Sequence, residues 1–453
     1  MDPVSSDYQG GVAARIARFA AAPAIAWPAR TLDYARLSLY DCLSVALAGA
    51  REPVADTVRR MVAREGGAPE ASAFGLRERI PARAAALLNG TAAHALDYDD
   101  THFAFVGHPS VAVLPAALAV AEQQRATGAA LLEAFACGVE AACAIGAWLG
   151  RAHYDAGFHQ TATSGTFGAT AACARLLGLD IAAAQHALGI AASRAAGLKC
   201  QFGTMGKPFH AGMAAANGVE AATLASLGFL ARADALDHAG GFAATHGGEH
   251  ASAAPFSGPP DAFRFADICY KFHACCHGTH PTLDALRALC DEHALAPDAI
   301  AAVTLRIHPQ WAPVCCIEAP QSGLELKFSL ASAAAMVLAG YDTATLASWS
   351  DAACGDPVLL DLKRRIAIET DAGVADTAAD VVVETHAGQR LAHRIDADAK
   401  PPFEALASRL QTKSTSLLGA ACARQLSDFV ARLDTLDAAQ WRPFVHEWMT
   451  QDA

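Results

Sequence analysis

Alanine-rich apolar segments fill the first half of the chain and restrict the folds that it can adopt. In residues 31–50, leucine, valine and tyrosine recur at the three- and four-residue spacing of one helix face. The same pattern returns in residues 83–96, 109–124, 129–149, 164–177, 181–192 and 211–230. Because many of these segments carry Ala, Leu, Val and Gly on every side, we expect helices that are buried on several faces.

Strands are expected only after a connector rich in glycine and proline, at residues 239–242 and 255–260. In residues 301–308, valine, leucine and isoleucine alternate with polar side chains, which is typical of a half-buried strand. Two further strands, at residues 379–386 and 390–395, flank a short turn that contains a glycine.

The remaining apolar periodicity after the connector predicts helices at residues 280–294, 329–340, 343–349 and 401–449. A mostly α protein follows, with a large all-α helical domain and a smaller α+β domain inserted before the last helices. The helical domain is predicted at residues 1–265 and 401–453. The α+β domain is predicted at residues 266–400.

Composition excludes several classes of protein. The 453 residues exceed the roughly 150 of one typical domain, and 53% apolar with 18% charged residues excludes a disordered chain. A net charge of −12 without a basic block argues against nucleic-acid binding. The apolar runs are interrupted before the roughly 18 to 20 residues that span a bilayer. Thirteen scattered cysteines without Cys-x-x-Cys spacing indicate reduced thiols and a cytoplasmic protein.

The first of four polar clusters lies in residues 94–102 and 108–110. Three carboxylates and three histidines fall within the fifteen residues 94–108. The side chains that this cluster offers to a site include Asp97, Tyr98, Thr101 and His108. Helix capping or a solvated acidic loop would explain a single aspartate. The density of ionisable groups favours a functional site.

The second and third clusters suggest places for an anion. Residues 157–166 set glycines and hydroxyls before an apolar helix, whose unpaired backbone N–H groups can hold a carboxylate or a phosphate. The candidate residues there are His159, Thr161, Thr163 and Ser164. Ordinary capping and close packing explain this segment equally well. In the third cluster, Lys207 is either a cation for an anionic ligand or part of a surface turn.

The fourth cluster, residues 271–281, combines Lys271, His277 and His280 with the adjacent pair Cys275 and Cys276. Neighbouring cysteines diverge too much for an easy tetrahedral zinc site, so we expect no bound metal. A thiol nucleophile beside a histidine is a minor alternative. Proton transfer by the histidines is favoured, because their unperturbed pKa lies near 6.5.

The sequence contains none of the usual nucleotide or nucleophile fingerprints, namely G-x-G-x-x-G after a strand, a Walker A loop or a G-x-S-x-G elbow. We therefore expect no cofactor. Cations together with general acids and bases suit proton chemistry next to a carboxylate. Such a site must hold the carboxylate and stabilise an enolate-like charge.

The order of the motifs resembles the MmgE/PrpD family over roughly residues 10–445. The matching motifs are A-L-D-Y-D-D-T and H-P-S, then G-F-H, then K-P-x-H-A-G, then K-x-H-A-C-C with T-H-P, and finally K-F-S-L. The resemblance implies a helical domain plus a smaller α+β domain, a cofactor-free site in the cleft between them, and a homodimer.

The resemblance also implies site residues. Asp97, Thr101, His108, His159, Lys207 and Lys271 match positions of the family's active-site motifs. The next active-site position is left open among Cys276, His277 and His280, with His277 preferred for proton transfer.

Roles for these residues follow from their chemistry. His108 and His159 are expected to act as base and acid, with Asp97 orienting a histidine. The lysines and the helix start of Thr161, Thr163 and Ser164 are expected to bind substrate carboxylates. Thr101, Tyr98 and His280 complete the predicted substrate contacts.

The family contains 2-methylcitrate dehydratase, iminodisuccinate epimerase and cis-aconitate decarboxylase. Each of these reactions moves a proton at a carbon α to a carboxylate of a small polycarboxylate. We expect first a cofactor-independent dehydratase-like lyase, with an epimerase-like isomerase second and a decarboxylase third. A non-catalytic carboxylate-binding protein is the alternative from another class.

Overall fold

The computed structural model describes residues 10–247, 256–396 and 401–450. The chain forms two compact units, one of Met1–Tyr270 with Leu418–Ala453 and one of Lys271–Leu417. The sequence-based limits of the smaller domain were residues 266–400. The structure thus keeps the helix that starts at Phe403 with the second unit rather than with the first.

Helices build the described part of the first unit. Its early helices are α1 (Val12–Ala21), α2 (Thr31–Gly49), α3 (Pro53–Glu65), α4 (Ala82–His94) and α5 (Pro109–Gln124). They are followed by α6 (Gly128–Asp155), α7 (Gln160–Leu176), α8 (Ile181–Ala192), α9 (Gly206–Ser226) and α10 (Phe242–His246). The last two helices of the chain, α18 (Ala420–Arg432) and α19 (Ala438–Thr450), return to this unit. The predicted all-α architecture is confirmed.

Small residues let the central helices touch backbone to backbone. A Cβ atom added to Gly212 of α9 would lie 2.2 Å from the carbonyl oxygen of Leu87 in α4. One added to Gly168 of α7 would lie 2.5 Å from the carbonyl oxygen of Gly138 in α6. Any side chain at these crossings would force the helices apart, so glycine fixes how closely α4, α6, α7 and α9 pack.

Helix α6 is long and apolar enough to cross a membrane by length and composition alone. In its most apolar window of 18 residues, 83% is buried inside the protein, which is the environment of a core helix. Glu140, which interrupts this apolar run, accepts hydrogen bonds from the backbone N–H groups of Arg264 and Phe265. Burial raises the pKa of Glu140 to about 7.

The second unit combines helices with one four-stranded sheet of order β2-β1-β3-β4. Its strands are β1 (Ile300–Ile307), β2 (Ile366–Thr370), β3 (Ala378–Thr385) and β4 (Arg390–Asp396). Strand β1 is parallel to β2 and antiparallel to β3, which pairs antiparallel with β4. The expected alternation in β1 is confirmed, since Val303 and Leu305 are buried while Arg306 is exposed.

The helices of the second unit accompany this sheet. They are α11 (His280–His293), α12 (Ala312–Cys315), α13 (Gly323–Leu326), α14 (Leu330–Leu338), α15 (Asp351–Cys354), α16 (Pro357–Arg364) and α17 (Phe403–Leu418). Helix α11 packs on β3 and β4 and also contacts α14. The predicted α+β class of the smaller domain is thereby confirmed.

Some elements differ from the sequence-based expectation. The helix expected at residues 343–349 is wrong, because only Leu346–Ser348 forms one 3₁₀ turn there. Strand β2 was not predicted because all five of its residues are at least partly exposed and its apolar alternation is limited to Ile366 and Ile368. The two amphipathic helices α3 and α16 were also missed. Both begin with a proline at the first helical turn, a common helix start.

We expect Gly212→Ala to destabilise the first unit, because the added methyl group would overlap the carbonyl of Leu87. Overpacking of this kind costs about 1–3 kcal/mol. Thermal unfolding measures the effect as a lower Tm. Gly355→Ala is the control, since the nearest atom to its added Cβ lies 3.9 Å away. Equal Tm values for the two variants would contradict the close crossing of α4 and α9.

Candidate active site

The end of helix α4 starts a turn that carries two buried carboxylates. His94 is the last residue of α4, and its carbonyl accepts a hydrogen bond from the N–H of Asp97. Asp97 has φ of +51°, a left-handed conformation that aspartate tolerates better than most residues. Asp99 lies on the other side of this bend and is fully buried. The turn therefore points two neighbouring carboxylates in different directions.

Asp99 bridges two histidines. One of its carboxylate oxygens lies 2.9 Å from Nδ1 of His94, and the other lies 2.9 Å from Nδ1 of His108. The rings of His94 and His108 are 4.6 Å apart between centroids. Burial alone would raise the pKa of Asp99, but the two histidines outweigh it and hold the pKa well below its usual range. Asp99 is thus an anion that fixes the orientation of both rings.

His108 is the residue directly before helix α5, which begins at Pro109. Its backbone N–H donates to Oγ1 of Thr161 across 3.0 Å. Its Nε2 lies 3.6 Å from Oδ1 of Asp97. A carboxylate thus faces each nitrogen of the ring, so a protonated His108 would form an ion pair on both sides.

His159 occupies the equivalent place before helix α7. Its Nδ1 lies 3.1 Å from Nδ1 of His210, so one ring donates a hydrogen bond to the other. Desolvation, followed by the charge of Lys207, lowers the pKa of His159 well below its usual range. Desolvation also lowers the pKa of His210 to about 4. Both rings are therefore neutral at neutral pH.

Lys207 is buried in the first turn of helix α9. Its ammonium group donates to Oδ1 of Asp97 across 2.5 Å. The ring of Phe202 lies 5.2 Å from Nζ of Lys207 and packs edge-on against His159. Phe202 thus contacts both the lysine and the second histidine.

Three helices begin around these side chains. His108 precedes α5, His159 precedes α7, and Lys207 lies in the first turn of α9. The N-terminus of a helix carries a partial positive charge and unpaired N–H groups, which attract anions. Together with the Lys207 ammonium, these helix ends make the region suited to a carboxylate ligand.

Four of these residues could also be ligands for a cation. One ligand atom each from His94, Asp97, Asp99 and His108 lies within 4.8 Å of the other three. However, Nδ1 of both histidines already contacts Asp99, and Asp97 already holds the Lys207 ammonium. A second cation beside Lys207 would be repelled, so the donor set suits protons better than a metal ion.

Comparison with known proteins matches both parts of the chain. Residues 14–253 match the MmgE/PrpD N-terminal domain, and residues 273–430 match the MmgE/PrpD C-terminal domain. The chain belongs to the MmgE/PrpD family. The resemblance that the sequence motifs indicated is confirmed.

Similar curated members of the MmgE/PrpD family are cis-aconitate decarboxylases. The human enzyme is 35% identical over 243 residues, which cover 51% of this chain and 50% of the relative. The Mus musculus enzyme is 34% identical over 245 residues, which cover 51% of this chain and 49% of the relative. An Aspergillus terreus enzyme is 29% identical over 299 residues, which cover 63% of this chain and 61% of the relative. The chain spans about half the length of the two mammalian relatives that it matches.

The other family-motif residues of the first unit are all buried. Thr101 pairs with Cys269 through two backbone hydrogen bonds of 2.8 Å. Thr163 shares a hydrogen bond of 2.8 Å with Nε2 of His153, so a contact with substrate would require this bond to open. The hydroxyl of Ser164 has no hydrogen-bond partner among the described residues. Tyr98 is 1% exposed.

The fourth motif lies in the second unit, where three histidines cluster. The ring of His280 is 4.6 Å from that of His277 and 4.9 Å from that of His273. Desolvation, with smaller contributions from these histidines and from Lys271, lowers the pKa of His280 well below its usual range. His277 is half-buried and Lys271 is fully buried. Their roles as proton-transfer and substrate-binding residues stay predictions.

Sequence reasoning missed three residues of the histidine–carboxylate cluster in the first unit. His94 and Asp99 were part of the first polar cluster but were not chosen as site residues, and His210 follows Lys207 by one helical turn. The signal for His210 was available, because residues three apart share a helix face. The bridge from His94 to Asp99 to His108 depends on the bend at Asp97, which periodicity does not reveal.

The third carboxylate of this turn, that of Asp100, has a different protonation state from those of Asp97 and Asp99. Asp100 is buried and contacts both the N–H and the hydroxyl of Ser110. Desolvation raises the pKa of Asp100 to about 8, and repulsion from Asp41 and Asp99 adds to the shift. Asp100 is therefore mostly protonated at neutral pH.

We expect Asp100→Asn to stabilise the protein increasingly as the pH rises. Between the ordinary aspartate pKa of about 3.9 and the folded value of about 8, the folded state keeps a proton that the unfolded state loses. Wild-type stability therefore falls across this window, whereas asparagine has no proton to lose. The Tm advantage of the variant should grow by at least about 3 °C from about pH 5 to about pH 8.5.

Asp291→Asn, at an exposed position, is the control for this pH series. Its Tm difference from the wild type should stay constant over the same range. A constant difference for Asp100→Asn as well would contradict a protonated, buried Asp100.

Proposed function

We propose that this chain is a lyase that acts on a small di- or tricarboxylate by moving a proton at a carbon α to a carboxylate. The observation that carries the proposal is the meeting of three helix starts at Asp97, where Lys207 and two histidines are held close together. The positive helix ends and Lys207 would bind substrate carboxylates, while the histidines exchange protons. Lys271 is proposed as a further carboxylate ligand, on the strength of the family motif.

A charge count supports one extra proton on the histidine pair. With Asp97 and Asp99 as anions and Lys207 as a cation, the buried group carries one net negative charge. A proton shared between His94 and His108 would neutralise it. We therefore propose His108 as the proton donor and the neutral His159 as the acceptor, which reverses the order expected from the sequence.

Among the reactions of this type, decarboxylation of cis-aconitate is our first candidate. When a carboxylate leaves as CO₂, its bonding electron pair stays on the carbon skeleton, and one proton must be delivered to it. A single proton stored beside the substrate meets that need. The similar mammalian and fungal proteins carry the name of this activity, which also favours decarboxylation over the dehydration that the motifs suggested first.

Dehydration remains the second candidate, because a base and an acid lie together in the cluster. His159 would remove the α proton, and His108 would protonate the leaving hydroxyl. An epimerase would need a neutral base on one face of a carbon and a protonated group on the other, which would require His159 and His108 to lie on opposite faces of that carbon.

The proposed function is tested by ¹H NMR in D₂O with cis-aconitate, citrate, 2-methylcitrate and iminodisuccinate. Loss of CO₂ from cis-aconitate would support the first candidate, and loss of water from a hydroxy acid would support the second. Inversion without loss would favour an isomerase. Saturable binding without deuterium exchange on any of the four acids would favour a non-catalytic carboxylate-binding protein. Because the resemblance implies no cofactor, the rate should not change after dialysis against EDTA.

We expect His108→Ala and His159→Ala each to keep the fold and to lower kcat by about 10²- to 10⁴-fold, the usual effect of losing a general acid or base. Steady-state rates on the active substrate and circular dichroism measure the two outcomes. His186→Gln in helix α8 is the control, since the His186 ring contacts the backbone carbonyl and N–H of Ala231 and is not part of the cluster. Wild-type turnover by either alanine variant would refute the assignment of that residue.

Asp99→Asn tests the proposed direction of proton transfer. Removing the anion that faces His94 and His108 makes their shared proton easier to lose. We expect kcat to fall by about 10²-fold and the alkaline limb of the pH–rate profile to move to lower pH. Glu140→Gln changes a buried carboxylate elsewhere and should leave that limb in place. A lower rate with an unmoved limb would mean that Asp99 only supports the structure.

A further inference from the structure

Four of the thirteen cysteines form two adjacent pairs, Cys275–Cys276 and Cys315–Cys316, and both pairs lie in the second unit. The segments that carry them are separated along the chain by helix α11 and strand β1. The proposed proton transfer uses neither pair.

Backbone hydrogen bonds hold both pairs against the same short segment. The N–H of Cys276 donates to the carbonyl of Lys327 across 3.0 Å, and the N–H of Ile317 donates to the carbonyl of Phe328 across 3.0 Å. Cys316 also pairs with Ser329 in an isolated antiparallel β-bridge of the backbone. Residues 276 and 316–317 are thus bonded to consecutive residues of one segment, Lys327–Ser329, which brings the two cysteine pairs close together.

The side chains complete this contact. Cys276 and Cys315 are buried in one small apolar cluster with Phe328, under Trp311. The Cys315 thiol lies within hydrogen-bonding reach of both Cys276 and Cys316. Cys275 points elsewhere, because its thiol bonds the hydroxyl of Thr279 at 3.1 Å.

The thiols differ in access and in acidity. Cys315 is fully buried and Cys276 is 7% exposed, whereas Cys316 is half-buried. A hydrogen bond from Cys315 lowers the pKa of Cys316, while burial and the neighbouring thiols raise the pKa of Cys315. Cys316 is therefore the thiol of this group that an oxidant reaches as a thiolate.

We propose that Cys276 and the Cys315–Cys316 pair form an oxidation site, in which mild peroxide joins the two segments through a disulfide at Cys276. The Cys316 thiolate attacks one peroxide oxygen, the O–O bond breaks, and hydroxide leaves to give a sulfenic acid. The Cys276 sulfur then attacks the sulfenic sulfur, the S–S bond forms, and water leaves. Two thiols are oxidised to one disulfide, and one peroxide is reduced to two waters.

The disulfide is detected by mass spectrometry of tryptic peptides after brief treatment of the whole protein with hydrogen peroxide. Trypsin releases residues 272–287 and 307–327, each with one cysteine pair, so the disulfide links two peptides of known mass. We expect the linked peptide to appear before the other thiols are oxidised, and to disappear with dithiothreitol. Oxidation of other cysteines without this linked peptide would overturn the proposal.

Variants at the adjacent cysteines make the assignment specific. Cys275→Ser should keep the linked peptide, because its thiol faces Thr279, whereas Cys276→Ser should abolish it. Cys316→Ser should slow formation of the linked peptide by at least about tenfold, because the accessible thiolate is lost and the link to Cys276 must then form through the buried Cys315 thiol. Should Cys276→Ser fold poorly, Cys315→Ser combined with Cys316→Ser must also abolish the linkage. Linkage that persists without Cys276 would exclude the proposed pairing.

Discussion

Burying the ammonium of Lys207 at the start of a helix is unfavourable unless a carboxylate accompanies it. The positive end of α9 adds to the charge of the lysine, and the starts of α5 and α7 add to it again. Asp97, whose backbone adopts a left-handed conformation, supplies the counter-charge. A buried ion pair of this kind barely repays its desolvation, but losing one partner leaves an uncompensated charge. The surrounding residues are arranged around that pair.

The same positive helix ends, together with the Lys207 ammonium, make the region suited to polycarboxylates. Without a ligand, Asp97 and Asp99 balance this positive charge, and the low pKa values of His159 and His210 keep further positive charge away. A bound polyanion would change that balance by favouring protonated histidines. In the proposed lyase, substrate binding and proton transfer would thus be linked through the same electrostatics.

Close helix packing makes this arrangement possible. At Gly212 and Gly168 the neighbouring helix backbones come too near for any side chain, which holds α4, α6, α7 and α9 at fixed distances. A site built on the ends of tightly packed helices keeps its side chains in place better than one built on long loops. The alanine-rich composition that first indicated helices therefore also determines how precisely the helix starts meet.

Apolar periodicity predicted the helical unit and the strand β1 well, because burial on one side leaves a regular pattern in the chain. It failed at β2, which is largely exposed, and at residues 343–349, which form only one short turn. Two helices also begin earlier in the chain than the apolar periodicity predicted. Helix α7 begins at Gln160 rather than at 164, and α9 begins at Gly206 rather than at 211. Polar first turns hide the start of a helix, and here one of those turns follows His159 and the other carries Lys207.

The sequence by itself determined the fold class, the family and the chemical groups on offer, since periodicity, motif order and residue type are properties of the chain alone. Only the tertiary structure decided how three nearby aspartates divide their tasks. Asp97 holds Lys207, Asp99 bridges two histidines, and Asp100 keeps its own proton beside Ser110. The physical reason is that a carboxylate's charge depends on burial and on the groups it faces. Both are fixed by helices that are distant along the chain.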